Sequence, residues 1–128
     1  MNCTFDTNIL VYTLAPLVDP RRAAARDLII RGMRGASSIL LLQSLAEFSN
    51  VAIRKLGIGA DAVRRRVVAW SNVIPVRAAV REDVVGALMI VRDHKLAFWD
   101  ALMCATAIRQ VLIICSQKIC KTACCSVA

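Results

Sequence analysis

At 128 residues and 14.0 kDa the chain is the size of one domain, large enough to bury a real core. Its hydrophobic fraction is 58%, yet polar or charged residues break every apolar stretch before the roughly 18 to 20 residues of a membrane span, so no membrane partner is expected. The net charge of +8 favours a polyanion or an acidic protein as partner, and the six aromatics form no repeated stacking platform of the kind RNA-recognition-motif or OB modules use.

In chain order, Cys3 to Phe5 reads as a short buried strand and Thr7 to Leu14 as a first turn and helix. Asp19-Pro20 is a helix start, with Asp19 as N-cap and Pro20 at the first helical position, and the Gly32 to Gly35 region ends that helix. Ser38 to Leu42 follows as a strand and Gln43 to Lys55 as a helix stopped by Gly57 and Gly59. Ala60 to Trp70 is a further helix. Val73-Ile74-Pro75-Val76 is a third strand, placed at a sheet edge by its proline. Two more helices cover Glu82 to Lys95 and Phe98 to Gln110, and Val111 to Cys115 is a last apolar strand. Strands separated by helices of this length predict an α/β fold, a parallel sheet with helices on both faces.

The N-terminus, Met1-Asn2-Cys3-Thr4-Phe5-Asp6, has neither a basic n-region nor an apolar h-region, so the expected compartment is the cytoplasm, where thiols stay reduced. Four of the six cysteines (Cys115, Cys120, Cys124, Cys125) fall in the last 14 residues. Their spacing is poor for zinc, since the one histidine, His94, is far upstream and Cys124-Cys125 is an adjacent pair. Cys3 and Cys104 are expected as buried, inert thiols.

Three acids stand in apolar settings: Asp6 in Phe5-Asp6-Thr7-Asn8, Glu47 in Leu45-Ala46-Glu47-Phe48, and Asp100 in Phe98-Trp99-Asp100-Ala101-Leu102. A carboxylate beside a core is costly unless paired or bound to a cation. Each has an ordinary explanation. Asp6 caps the helix from Thr7, Glu47 is a solvated helix residue paired with Asn50 or Arg54, and Asp100 complements a helix macrodipole for roughly 0.3–1 kcal/mol. Together they imply more, because ligands of a parallel sheet sit at the carboxyl ends of the strands. Asp6 ends the first strand. Glu47 lies on a helix face with Gln43, Asn50 and Arg54, and Asp100 is in the first turn of a helix that is apolar nearly all round. Three oxygen donors at one rim suit Mg²⁺ or Mn²⁺, which activate water for attack on phosphorus.

The blocks Phe5-Asp6-Thr7-Asn8-Ile9-Leu10-Val11-Tyr12, Gln43-Ser44-Leu45-Ala46-Glu47-Phe48-Ser49-Asn50-Val51 and Leu96-Ala97-Phe98-Trp99-Asp100-Ala101-Leu102-Met103 resemble, in order and spacing, those of PIN-domain ribonucleases, and of VapC toxins in particular. The likeness runs from about Thr4 to Gln110. It implies a three-layer α/β/α fold with a short parallel sheet, and a Mg²⁺-dependent endoribonuclease toxin of a toxin–antitoxin module. Asp6 and Asp100 would be direct metal ligands, Glu47 a further ligand or one acting through water, and Asn8 would orient the cluster by hydrogen bonding. The implied partners are RNA, a VapB-type antitoxin and a second copy in a homodimer. The arginine-rich faces Arg21 to Arg34 and Arg64 to Arg66 would meet RNA phosphates or the antitoxin.

The chain departs from the family pattern in two places. Ala97 stands where Ser or Thr would form a capping box with Asp100. Ser116-Gln117-Lys118 stands where the family carries a fourth acid, and the last 28 residues contain no acid at all. We read residues 1–110 as the PIN-like domain and 111–128 as a divergent C-terminal segment of the same domain, with a shifted reading frame near residues 111–116 as a hypothesis that sequencing the gene across that point decides. The alternative function is a catalytically impaired PIN domain that only binds antitoxin or RNA. Lys118→Asp separates the two. An ammonium beside a cation site differs from a carboxylate by roughly a few kcal/mol at an effective dielectric near 20, so the substitution should raise Mn²⁺ affinity and RNA cleavage; no change from an already active parent shows the fourth acid to be dispensable.

Overall fold

In the computed structural model, which describes residues 2–35 and 38–115, the elements run β1 (Cys3–Phe5), α1 (Thr7–Tyr12), α2 (Pro20–Arg34), β2 (Leu40–Leu41), α3 (Leu42–Arg54), α4 (Ala60–Val73), β3 (Val76–Arg77), α5 (Arg81–His94), α6 (Phe98–Arg109) and β4 (Ile113–Cys115). Lys118 and the tail cysteines lie outside the described residues. β1 pairs in parallel with β4, Cys3 opposite Ile113 and Phe5 opposite Cys115, and β2 pairs in parallel with β3, Leu40 opposite Val76. A parallel bridge between Cys3 and Ser38 joins the two pairs, with the Ile39 N–H donating to the Cys3 carbonyl at 2.8 Å. The strand order is therefore β3-β2-β1-β4.

The third strand begins at Val76 rather than Val73, because α4 runs on to Val73. Pro75, with no N–H to give, contributes only its carbonyl, which accepts from the Leu40 N–H at 2.8 Å. Among the described residues β3 pairs with β2 alone, at the edge where the proline placed it. Asp19 caps α2 as expected, accepting from the Arg21 N–H at 2.9 Å ahead of Pro20. Gly32 lets that helix lie close on the sheet, since a Cβ there would come within 2.8 Å of Phe5 Cζ.

Side chains alternate across a strand, and this divides the core into two layers. Phe5 and Leu40 join Ile9, Leu10, Ile29 and Phe48 on one face, under α1 to α4. Leu41 and Ile114 join Ile90, Leu102 and Met103 on the other, under α5 and α6. On the first face Phe48 of α3 meets Trp70 of α4 with ring centroids 4.9 Å apart. The second layer holds α6, buried from Ala101 through Ala107. Cys104 lies there with 1% of its surface exposed and is disulfide-bonded, which corrects its reading as a free thiol; Cys3 is a half-buried free thiol.

α5 and α6 are locked by one ion pair. The buried Asp83 carboxylate accepts from Arg109 Nε at 2.8 Å and Nη2 at 3.0 Å, and Nη2 also reaches the Ala78 carbonyl at 3.1 Å. Asp83 accepts as well from the Val80 N–H at 2.9 Å, which closes the start of α5. Burial pushes the Asp83 carboxyl up, but the Arg109 fork and the Val80 N–H outweigh it and hold the pKa below its ordinary 3.8.

Arg109→Ala leaves that carboxylate buried without its cation and should cost about 2 kcal/mol or more in urea unfolding; this is under the 3–5 kcal/mol of a fully buried pair, since the Arg109 side chain is 36% exposed. Because the folded pKa is depressed, the pair's contribution is complete above the unfolded pKa near 3.9 and is lost as pH falls through the lower folded value. The acid limb of the stability profile should therefore flatten in Arg109→Ala.

Candidate active site

Parallel strands end on one edge of the sheet, and the helices that follow them start there. Asp6 follows β1 directly. Its backbone is extended, only 2% of its surface is exposed, and its Oδ1 accepts from the Ile9 N–H at 3.0 Å, so it does cap α1. The next residue turns that edge into a cleft. Thr7 Oγ1 donates to Glu47 Oε2 at 2.8 Å, tying the start of α1 to α3. Gln43, one turn before Glu47, donates Nε2 to Glu47 Oε1 at 2.9 Å and to the Trp99 carbonyl oxygen at 2.8 Å, tying α3 to α6.

Thr7, Glu47, Gln43 and Trp99 thus form one hydrogen-bonded chain, and Asp6 and Asp100 each adjoin an end of it in sequence. Glu47 accepts from these two neutral donors, which corrects the pairing with Asn50 or Arg54 expected for a solvated residue. Asp100 is half-buried in the first turn of α6, behind an Ala97 N-cap that makes no side-chain bond, as the missing capping box implied. Asn8 is half-buried as the second residue of α1. Gln43, Glu47, Asn50, Trp99 and Leu102 wall a cleft of about 650 Å³. A separate apolar cavity of about 410 Å³ between α5 and α6 carries none of the candidate residues.

The donors at this edge are carboxylates and amides, the oxygen chemistry a hard divalent cation takes. Among the described residues, no three His, Cys, Asp or Glu side chains are gathered into a group that could hold a metal by themselves. The fold brings the acid-bearing segments to one place by hydrogen bonds between them. Thr7 is the contributor that sequence reasoning missed. Its position beside Asp6 was visible, but its bond to Glu47 spans 40 residues and has no local signal. Gln43 carried a signal, its i, i+4 spacing to Glu47.

The cationic surface divides unequally. Asp19 pairs with Arg21, Asp27 with Arg31 and Asp61 with Arg64. Arg22 and Arg26 instead donate to the Ala15 and Thr13 carbonyls, at 2.9 and 3.3 Å, and the Arg66 guanidinium lies 5.8 Å from the centroid of the Trp70 ring. Arg26 and Arg66 line one cavity of about 220 Å³ between α2 and α4. Burial, then repulsion from Arg26 and Arg22, lowers the pKa of Arg66. No carboxylate offsets this cluster among the described ion pairs.

The PIN domain family model matches residues 3–116. The chain belongs to the PIN-domain family. No curated protein matches it. Among solved structures this PIN domain is similar to VapC20 of Mycobacterium tuberculosis, a sarcin-ricin loop-cleaving toxin, with a TM-score of 0.70 and 19% identity over 92% of each chain. It is similar to a chain of a Klebsiella pneumoniae toxin–antitoxin complex, with a TM-score of 0.69 and 20% identity over 91% of this chain and 87% of that one. A third likeness is to FitAB bound to a DNA fragment, with a TM-score of 0.66 and 16% identity over 91% of this chain and 85% of that one. At these identities the likeness is one of fold, and it agrees with a short parallel sheet covered by α1 to α4 on one face and α5 and α6 on the other. Among the described residues no helix is long and apolar enough to cross a membrane.

The arginines that no described carboxylate offsets predict a salt-sensitive attraction to polyanions. Binding of a single-stranded oligonucleotide should weaken steeply with salt, and replacing Arg65 and Arg66 with Ala should shallow the slope by about 0.7 for each phosphate no longer neutralised. An unchanged slope would assign these side chains to another partner.

Proposed function

We propose that this PIN domain is the ribonuclease toxin of a toxin–antitoxin module and hydrolyses RNA phosphodiester bonds in the cleft between α1, α3 and α6. The observation that carries the reading is the Thr7–Glu47–Gln43–Trp99 chain, which draws the segments bearing Asp6, Glu47 and Asp100 to one edge of the sheet. The toxin structures among its fold relatives support it.

In this role Asp6, Glu47 and Asp100 would hold Mg²⁺ or Mn²⁺, which when bound supplies charge to offset the phosphate and lowers the pKa of water. The remaining work falls to the protein. The Ile9 N–H fixes the Asp6 carboxylate and Thr7 and Gln43 fix that of Glu47, while Asn8, the second residue of α1, would orient the cluster by hydrogen bonding. Trp99, 60% exposed on the cleft wall, offers a face for a base to stack on, and the arginines of α2 and α4 attract the phosphates. We further propose a VapB-type antitoxin as partner, a homodimer, and cytoplasmic location. The exposed Val84, Val85, Leu88 and Met89 of α5 support an apolar contact with another chain.

A second reading, an impaired PIN domain that binds antitoxin or RNA without cutting, is favoured by the lack of a preformed ligand group among the described residues and by Lys118 in place of an acid. Asp6→Asn decides between them. Asparagine caps a helix about as well as aspartate, so the fold should persist while the charge facing the cation is lost. The expected outcome is RNA cleavage by the parent that stops on chelation, and loss of both cleavage and most Mn²⁺ binding by calorimetry in the variant. A parent that binds RNA and never cleaves it establishes the second reading.

A further inference from the structure

Gln43 makes contacts that a solvated helix residue has no reason to make. Its Nε2 carries two hydrogens and has two acceptors, Glu47 Oε1 at 2.9 Å and the Trp99 carbonyl at 2.8 Å. Both partners can only accept, so the amide has one possible orientation, with the nitrogen towards them. Its own oxygen, Oε1, is buried and has no hydrogen-bond partner among the described residues. Turning the amide over would set this oxygen against two other acceptors, so the nitrogen stays between them.

The two partners lie on different elements. Glu47 is four residues on along α3. Trp99, 56 residues away from Gln43 in sequence, is the residue before Asp100 in the first turn of α6. The Trp99 carbonyl belongs to the backbone, so bonding to it fixes the main chain that carries Asp100 rather than a mobile side chain. Ala97 gives that turn no side-chain cap, and the Gln43 bond is a side-chain anchor for its backbone. Thr7 holds the other oxygen of Glu47, and the carboxylate is thereby fixed from both sides.

We propose that Gln43 is a positioning residue, a two-way amide strut that sets the Glu47 carboxylate and the Asp100-bearing turn of α6 at a fixed separation. This rests on the proposed function, in which both acids serve one reaction. The strut acts through the acids and touches no reacting atom. It works before any cation arrives, because both its acceptors are already in place. Gln43→Met keeps the length and volume of the side chain and removes the donor. Gln43→Glu replaces the donor with an acceptor that repels both Glu47 and the Trp99 carbonyl.

Two measurements on the full chain test the strut. The first needs no metal: both Gln43 Nε2 protons should exchange slowly by NMR, and Glu47→Ala should speed the exchange. Rapid exchange in the parent overturns the strut, whatever the protein's activity. The second is a cycle of Gln43→Met and Glu47→Gln read by Mn²⁺ calorimetry and RNA cleavage. Gln43→Met should weaken Mn²⁺ binding about tenfold and lower kcat with little change in KM, and Gln43→Glu should do worse. In the Glu47→Gln background Gln43→Met should cost Mn²⁺ affinity less than in the parent, the remainder being the part carried by the Asp100 turn through Trp99. An equal penalty in both backgrounds makes Gln43 a mere structural tie and overturns the positioning role. Protected protons in a parent that neither binds Mn²⁺ nor cleaves RNA overturn the proposed function, and the positioning role falls with it.

Discussion

Parallel pairing of very short strands is the constraint on which the rest of this molecule depends. β2 is two residues long and β1 three, too short to hold a sheet by hydrogen bonds alone. What they supply is direction. Because β1, β2, β3 and β4 run the same way, the chain leaves β1 and β2 at one edge, and α1 and α3 begin there. Alternation along the same strands sends Leu40 to one core layer and Leu41 to the other. The helices then provide most of the burial, and the sheet provides the edge at which their N-termini meet.

Acids in this fold are kept in two different ways, and the difference bears on function. Asp83 is buried and answered by the full charge of Arg109, a closed pair that fastens α5 to α6. Glu47 is only half-buried and is held by a hydroxyl and an amide, which orient the carboxylate without neutralising it. A pair like Asp83–Arg109 has satisfied its charge and has no use for a cation. Glu47 is aimed by neutral neighbours, the arrangement that the proposed cation site calls for. The contrast is physical and does not depend on family likeness, because a neutral donor stabilises a carboxylate geometrically while leaving its field in place.

Much of this was legible in the sequence, for particular reasons. Asp19-Pro20 marks its helix start because the cap and the proline act within a few residues, and the apolar run from Ala101 to Ala107 betrays a buried helix. The third strand was misplaced by three residues, because Val73 and Ile74 have strand-like side chains while packing of Trp70 beneath α3 lets α4 continue through Val73. The cleft was half legible. Each acid stood out by its apolar setting, and periodicity put Gln43 on the face of Glu47. The bonds from Thr7 to Glu47 and from Gln43 to Trp99 cross 40 and 56 residues, and no local pattern encodes them.

The arginines raise a different question, that of how a strongly basic domain discriminates among anions. In α2 and α4 each nearby acid is taken by an arginine on its own helix or at its cap, which leaves Arg22, Arg26 and Arg66 with backbone carbonyls and an indole as neighbours. Such a cluster attracts any polyanion over roughly the 8 Å Debye length of physiological salt, and reads no sequence. An RNA strand and an acidic protein segment would feel the same field. In the proposed function discrimination would arise where shape and directed bonds operate, at the cleft walled by Gln43, Glu47, Asn50 and Trp99. A partner that occupied the arginine cluster alone would compete with RNA for arrival, whereas one that also filled the cleft would block the chemistry itself; of the two, only the second remains effective when salt screens the field.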